Sequence, residues 1–418
     1  VEADVGRFTN LIVTTQSIVT SSISQVSGSS IHGTVATDRH VFTGSLQISG
    51  SSIYDNYFLN NVAIGKTENT RNIFEVEGEE LLETNLFGKK NNKELIKINS
   101  SLRKMIKKGA FINGPLVKKF EKNFSQKNRA KYCVGFSSSS TAISSVVNIL
   151  NKKKKEILIP AFSPIPVAAS LKNYNLNIRY LDVDKETFLL KSNLQNEIDS
   201  KTGIIMLVHL FGNVFDINSL KKKISSKINI IEDSSQAHFS KINNKYVGSN
   251  SFASIFSFYP TKNLFAYGDA GCVTTNNQNF AKKLRAYRNY GLHPSIDKLL
   301  NFGNNFRMDE FQAMILSMNL KKIFRFNALR SKINDYYKYH LSDLPIQFQK
   351  IEKNVKSNNH VFSIVVDSKY RNRLNKFLMN SGIGTSIYYQ KLLPSFTDEL
   401  TETKLKKNFP NAFSLSKS

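Results

Sequence analysis

The chain has 418 residues, and its 58 Lys and Arg against 32 Asp and Glu give a formal net charge of +26 at pH 7. This length leaves room for two or three domains and an ample core, and the absence of any run of 18 apolar residues argues against a membrane span. The basic balance fits solvated surface lysines or a positive field that steers an anionic substrate. No aromatic-and-basic motif supports nucleic-acid binding. The two cysteines, Cys133 and Cys272, cannot hold an iron–sulfur cluster and predict buried thiols in a reducing compartment, the cytoplasm.

The first 65 residues differ in composition from the rest of the chain. They are rich in Ser, Thr, Gly, Val and Ile, and the segment QVSGSSIH at 25–32 recurs as QISGSSIY at 47–54, a repeat of 22 residues. Short β-branched runs punctuated by Gly and Ser predict a repetitive β-structure that stacks or trimerises. Residues 42–50 resemble the shaft segments of phage tail fibres, and a disordered polar leader is the alternative. Residues 66–83 are acidic and predict a linker.

From residue 84 the pattern becomes one of strands alternating with helices. This alternation predicts an α/β domain, residues 84–330, with a mostly parallel sheet covered on both faces. The predicted strands are apolar runs at 132–136, 156–160, 178–183, 203–210, 228–233 and 254–258. The predicted helices lie at 95–108, 140–150, 219–225 and 308–323. A smaller C-terminal α+β domain, residues 331–418, is predicted from a strand, a helix and a strand at 360–366, 369–381 and 383–389.

A carboxylate and a lysine follow two of these strands. Asp233 ends the strand 228–233, and Lys262 lies in the loop SFYPTKNL, just after the strand 254–258. Ligands of parallel sheets bind at the carboxyl ends of the strands, so we expect both side chains at one site. A buried lysine can lose its proton far below its ordinary pKa of about 10.4 and become a nucleophile. A lysine that forms a Schiff base and an aspartate that pairs with a pyridinium nitrogen predict a site for pyridoxal 5′-phosphate (PLP).

Two hydroxyl residues open the helix that follows the strand 132–136. Ser140 and Thr141 stand at the start of the helix 140–150. The unpaired amides and the dipole of a helix N-terminus suit a phosphate dianion. We therefore expect both residues to bind the cofactor phosphate, with ordinary helix capping as the alternative.

Several motifs stand in the order found in one known family. They are NGP at 113–115 with FE at 120–121, the serine turn 137–142, EDSSQAH at 232–238, FSF at 256–258 with KNL at 262–264, GNNFRM at 303–308, and GI at 382–383 followed by Tyr389. From about residue 84 the chain resembles the DegT–DnrJ–StrS family of PLP-dependent nucleotide-sugar aminotransferases. The resemblance implies the fold of PLP-dependent transferases of the aspartate-aminotransferase type.

The resemblance also implies roles for single residues. Lys262 would hold the cofactor and move a proton between substrate and cofactor, and Asp233 would keep the pyridine nitrogen protonated. Gln236 would hydrogen-bond the ring hydroxyl oxygen, and Ser257 would be a further phosphate ligand. Asn305 would reach the phosphate in the other subunit, which implies a homodimer with shared active sites.

The chain departs from the family pattern at several positions. Ser139 stands where the family usually has glycine, which costs energy if the backbone there needs a positive φ. Pro164 takes the place of an aromatic residue that often stacks on the cofactor ring, with Phe162 as a substitute, and Tyr388 replaces a frequent histidine. The chain stops within a family motif at 409–415, so we expect an incomplete small domain.

Together these features predict a PLP-dependent aminotransferase. It would move an amino group from glutamate to the keto group of a nucleotide-linked deoxysugar, in surface-polysaccharide or amino-sugar biosynthesis. A sugar dehydratase of the same fold is one alternative, but those enzymes lack the Schiff-base lysine, and Lys262 is present. A fibre protein with an inactive aminotransferase-like domain is another; the leader motivates it, and the intact set of Lys262, Asp233 and Gln236 argues against it.

Overall fold

The computed structural model describes residues 73–74, 82–83, 92–150, 155–172, 177–292, 303–397 and 400–418. The predicted β-rich leader, residues 1–65, lies outside the described residues, as does most of the predicted linker. Residues Asn72–Ser418 form one compact unit.

Strands and helices alternate along the described residues. The strands are β1 (Ile73–Phe74), β2 (Leu82–Glu83), β3 (Tyr132–Phe136), β4 (Glu156–Pro160), β5 (Ile178–Leu181), β6 (Thr202–Val208), β7 (Asn229–Asp233), β8 (Lys241–Ile242), β9 (Lys245–Tyr246), β10 (Ala253–Ser257), β11 (Gly271–Thr275), β12 (Gln347–Phe348), β13 (Val355–Lys356) and β14 (Ile364–Val365). The α-helices are α1 (Asn92–Lys108), α2 (Pro115–Asn128), α3 (Ser139–Leu150), α4 (Ile165–Lys172), α5 (Ile217–Lys221), α6 (Gln278–Tyr287), α7 (Glu310–Asn319), α8 (Ile323–His340), α9 (Ser368–Asn380), α10 (Pro394–Thr397), α11 (Glu402–Asn408) and α12 (Pro410–Lys417).

A seven-stranded sheet in the order β3-β11-β10-β7-β6-β4-β5 forms the centre of the compact unit. Strands β10, β7, β6, β4 and β5 pair in parallel, whereas β11 runs antiparallel to both of its neighbours. All six predicted strands are present, and the predicted α/β class with a mostly parallel sheet is confirmed. Strand β11 is not predicted, because its short threonine-rich run directly follows a glycine-containing loop.

Burial of both faces explains why the strands are apolar along their whole length. Neighbouring residues of a strand point to opposite faces, yet Ile157, Leu158 and Ile159 of β4 are all fully buried. Parallel sheets require such cover, because their connecting helices lie on the faces. The sheet therefore presents its ends, rather than its faces, to a ligand.

Three predicted elements after residue 307 are wrong in extent or kind. The predicted helix 308–323 is two helices, because α7 ends at Asn319 and α8 begins at Ile323. The predicted strand 383–389 is absent, and this segment makes turns instead. The predicted strand 360–366 shrinks to β14, whereas the predicted helix 369–381 is α9 within one residue at each end.

The last residues of the chain pack into the core of the central sheet. Leu393, Leu405 and Leu415 belong to the same buried apolar cluster as the strands β4 and β6. The carboxylate of Asp182 accepts hydrogen bonds from the backbone N–H groups of Asn411 (3.3 Å) and Ala412 (2.8 Å) at the start of α12. The predicted division into domains at residue 330 stays a prediction, but this final segment packs on the larger domain.

Candidate active site

A cavity of about 300 Å³ opens at the carboxyl ends of the parallel strands. Because β7 and β10 are parallel neighbours, the residues that end them or follow them meet at this edge of the sheet. The lining residues come from strand ends and the loops beside them, from the start of α3 and from the start of α4: Ser138, Ser139, Ser140, Ile143, Pro164, Pro166, Val167, Val208, His209, Asp233, Ser235, Gln236, Ser257, Tyr259, Lys262, Asp269 and Ala270.

Lys262 and Asp233 lie together in this cavity. Asp233 is 4% exposed at the end of β7, and its Oδ1 accepts a hydrogen bond from the Ser235 N–H at 3.0 Å. Burial lowers the pKa of Lys262, and the negative charge of Asp233 partly opposes that shift. The lysine is thereby more readily deprotonated than a surface lysine, which is what a nucleophilic amine requires.

Gln236 is fixed by hydrogen bonds at both ends of its amide. Its Oε1 accepts from the backbone N–H of Phe211 at 2.7 Å, and its Nε2 donates to the hydroxyl of Tyr389 at 3.1 Å. Burial raises the pKa of Tyr389 above its ordinary value, so the phenol stays protonated. The segment predicted as the strand 383–389 thus brings a tyrosine to the site instead of adding to a sheet.

The serine turn at the start of α3 lines the cavity through Ser138, which precedes the helix, and through Ser139 and Ser140, which open it. Thr141 faces into the turn: its N–H donates to Ser138 Oγ (3.1 Å), and its hydroxyl donates to the Ser138 carbonyl (2.9 Å). Ser139 does not have a positive φ, so the expected backbone cost of replacing glycine is absent. The close approach of β11 is instead made possible by Gly271, because a Cβ there would stand 2.5 Å from the Ser139 nitrogen.

Asn305 lies apart from these residues. It is exposed, its Oδ1 accepts from Arg307 Nε at 2.9 Å, and it is not among the residues that line the cavity. Arg307 in turn donates to Asn289 Oδ1 at 3.1 Å. Ser257, by contrast, does line the cavity and is 6% exposed.

Comparison with known proteins assigns the chain to a family. A family model described as the DegT/DnrJ/EryC1/StrS aminotransferase family matches residues 93–418. The chain belongs to this aminotransferase family. Among its relatives, a dTDP-3-amino-3,6-dideoxy-α-D-galactopyranose transaminase of Aneurinibacillus thermoaerophilus is 33% identical over 70% of this chain and 80% of the relative. A protein of Geobacillus stearothermophilus called a pleiotropic regulatory protein is 32% identical over 69% of this chain and 78% of the relative.

Solved structures agree with the family assignment. The crystal structure of S. venezuelae DesV has a TM-score of 0.72 and 25% identity, covering 78% of this chain and 88% of that chain. The E. coli GDP-4-keto-6-deoxy-D-mannose-3-dehydratase with bound hydrated PLP has a TM-score of 0.69 at 24% identity, covering 79% of this chain and 92% of that chain, and shows the shared fold. The chain is therefore an enzyme, a PLP-dependent aminotransferase, and several of its relatives are sugar transaminases.

The lining residues of the aminotransferase fit PLP in their chemistry. They combine a lysine with a lowered pKa, a buried carboxylate, and a serine turn at the N-terminus of the 12-residue helix α3. The bare backbone of Gly271 lets β11 press against this turn and fixes it in place. A phosphate at the turn and a pyridine ring near Asp233 would each meet groups of suitable charge.

The wall expected to carry a stacking aromatic ring is aliphatic. Phe162 is 2% exposed and packs edge-on against Tyr389, with ring centroids 5.4 Å apart and planes at 69°. Pro164, Pro166 and Val167 line the cavity there instead. The prediction that Phe162 takes the place of the family's stacking aromatic residue is therefore wrong.

Of His209 and His238, which both lie near the site, the first lines the cavity and the second does not. The Nε2 of His209 lies 3.0 Å from Glu232 Oε1, and its Nδ1 accepts from the Phe215 N–H at 3.3 Å. His238 is fully buried and packs on Phe256. Burial lowers the pKa of His238 to about 3, so that ring is neutral.

Asp269 is a cavity-lining residue that sequence reasoning missed. It is exposed at the cavity, next to the buried Ala270 that precedes β11. The signal that could have found it is its place in the loop GDAG, directly before the antiparallel strand β11, which begins at the same edge of the sheet.

Proposed function

We propose that this aminotransferase moves an amino group from glutamate to the keto group of a nucleotide-linked deoxysugar. The observation that carries the proposal is the meeting of Lys262 and Asp233 in one buried cavity beside a serine turn. The named activities of relatives support the substrate class, since they include dTDP-sugar and UDP-sugar transaminases.

Each cofactor-contacting residue has a physical task in this proposal. Bound PLP would supply an electron-withdrawing ring that stabilises negative charge on the substrate carbon. Asp233 keeps a proton on the ring nitrogen, because a buried carboxylate favours a neighbouring positive charge. Gln236 would hydrogen-bond the ring hydroxyl oxygen, and Ser140, with Ser257, would bind the phosphate at the N-terminus of α3.

Lys262 would hold the cofactor and would serve as the base and acid of the reaction. Its lowered pKa lets the amine take a proton from the substrate carbon and return it on the other side of the transfer. Thr141, turned into the serine turn by two hydrogen bonds with Ser138, acts by holding the turn in shape. The burial of Asp233 and Lys262 strengthens the interaction between their charges.

The proposed enzyme is a homodimer with shared sites. Asn305 is exposed and stands outside the cavity of its own chain, which is what a residue that serves a partner requires. In the described parts of the chain no helix is long and apolar enough to cross a membrane. We place the enzyme in the cytoplasm, where nucleotide sugars for surface polysaccharides or other amino sugars are made, and where its two buried cysteines stay reduced.

A sugar dehydratase is the second candidate. The likeness to solved dehydratases, at 23–24% identity, concerns the fold alone. Lys262 favours amino transfer, because a lysine amine can both attach the cofactor and carry the proton.

An assay with a panel of keto-sugar nucleotides tests the proposal. With glutamate as donor, the wild-type enzyme is expected to release 2-oxoglutarate and form an amino sugar with at least one member, whereas Lys262→Ala does neither. Water loss from the sugar without gain of nitrogen would establish the dehydratase instead. If no member of the panel reacts with any amino donor although PLP is bound, the result would support the alternative of a fibre protein with an inactive aminotransferase-like domain.

A further inference from the structure

His360 makes three hydrogen bonds to groups far away in the sequence. Its backbone N–H donates to the Phe211 carbonyl at 3.1 Å, and its carbonyl accepts from Arg330 Nη1 at 3.1 Å. Its ring Nδ1 lies 2.9 Å from Asn263 Oδ1, which can only accept, so the ring nitrogen is the donor. Burial lowers the pKa of His360 well below its usual value, which keeps the ring neutral.

Asn263 holds the loop of the active-site lysine from behind. It directly follows Lys262, and its side chain is 3% exposed. Its Nδ2 donates to Asn327 Oδ1 at 2.9 Å and to the Asn358 carbonyl at 3.0 Å, while its Oδ1 accepts from His360. All the hydrogen-bonding groups of this amide are therefore engaged, by residues from α8 and from the segment before β14.

Phe211 links the same histidine to Gln236. Its N–H donates to Gln236 Oε1, and its carbonyl accepts from the His360 N–H. The residue has φ 58° and ψ 13°, a left-handed conformation that is strained for a bulky side chain. Such strain persists where the surroundings demand it, and here both peptide groups flanking Phe211 are engaged in the link.

A continuous path of buried hydrogen bonds thus runs from Gln236 through Phe211 and His360 to Asn263, the neighbour of Lys262. We propose that His360 is a positioning residue that fixes the positions of Gln236 and Lys262 relative to each other. It lies outside the cavity and acts through the other residues of the path. The proposal rests on the amino-transfer function proposed above, because that function needs both residues aligned on one cofactor.

His360→Phe is the direct test, since it keeps a planar aromatic ring at this position but removes the ring N–H that donates to Asn263. His340→Phe is the matched control, because His340 is exposed on α8 and packs on Tyr336 with ring centroids 4.2 Å apart. The readout is the pH profile of Lys262 reductive methylation by formaldehyde and cyanoborohydride in cofactor-free protein, resolved by peptide mapping. The titratable groups that face Lys262 are Asp233, His238 and His360.

Loosening the loop exposes the lysine amine, and exposure raises its pKa because burial is what lowers it. The midpoint of the profile is expected to rise by at least about half a pH unit, roughly a threefold change in the neutral fraction at a given pH. His340→Phe is expected to keep the wild-type midpoint. His360→Gln, which restores an N–H donor, is expected to bring the midpoint back to the wild-type value. In the sugar assay kcat falls by about tenfold, with KM for the sugar nearly unchanged.

An unshifted midpoint in folded His360→Phe would overturn the proposal. If that variant does not fold, Asn327→Ala replaces it, because this change removes one acceptor of the Asn263 amide. The midpoint of the methylation profile is expected to rise in the same way, and an unchanged midpoint in Asn327→Ala would also overturn the proposal. The methylation profile needs neither PLP nor substrate. A wild-type protein without aminotransferase activity would therefore count against the proposed function, while the profile still decides the role of His360.

Discussion

At the scale of single residues, burial decides the chemistry of the site. Lys262 has a lowered pKa because it is desolvated, and Asp233 beside it limits that shift. The sequence could predict both residues, since a strand-end carboxylate and a lysine in the next strand's loop must meet at one sheet edge. It could not predict that Thr141 turns inward or that Phe162 packs away from the cavity. Those outcomes depend on side-chain partners, such as Ser138 and Tyr389, that the local pattern does not reveal.

Replacing Asp233 by Asn is predicted to impair catalysis more than cofactor binding. The neutral amide no longer favours a protonated ring nitrogen, so kcat should fall by at least about 100-fold, the usual size of a lost proton-handling contribution. Absorbance titration with PLP and steady-state kinetics measure the two effects separately. Asp367→Asn is the control, because Asp367 is an exposed cap of α9 and asparagine caps equally well. Equal kcat values for the two variants would contradict the role of Asp233.

At the scale of elements, the apolar runs predict the strands well because a sheet buried on both faces leaves them no polar positions. The predictions fail where tertiary contacts override the pattern. The segment 383–389 looks like a strand, yet it turns, and Tyr389 bonds Gln236. The final helices carry no sequence signal of their partners, which are the residues that follow β5 and the apolar core of the sheet.

Asp182→Ala is predicted to loosen the C-terminal helices. Its carboxylate caps α12 through Asn411 and Ala412 and also pairs with Lys191 at 3.0 Å. Losing these bonds should cost about 1–3 kcal/mol of unfolding free energy, with faster hydrogen exchange in α12. The matched change Asp367→Ala removes a cap from α9, a helix that buries no residue, and should cost less than about 1 kcal/mol. Equal losses in denaturant unfolding would show that the cap of α12 has no special role.

At the scale of the whole molecule, the site as proposed is complete only in a pair of chains. Asn305 stands outside its own chain's cavity, on a loop held by Arg307 and Asn289. The resemblance to the family supplied the idea of a shared site. Only the structure could add that Asn305 is exposed, because the sequence does not show which way a loop faces.

Mixing two inactive variants, Lys262→Ala and Asn305→Ala, is predicted to restore activity. In a mixed dimer, one site has both changes and the other has neither. Random exchange of subunits would leave about a quarter of all sites intact, so about a quarter of the wild-type activity should return. Native mass spectrometry verifies the exchange. Absence of recovery in a verified mixture would rule out a shared site.

The attachment of the cofactor to Lys262 tests the central claim most directly. The PLP-loaded enzyme is reduced with borohydride, digested and mapped by mass spectrometry. The pyridoxyl group is expected on the peptide that contains Lys262 and to be absent from Lys262→Ala, which leaves the 57 other Lys and Arg residues of the chain unchanged. A pyridoxyl group on another lysine, or an equal yield from Lys262→Ala, would contradict the site described here.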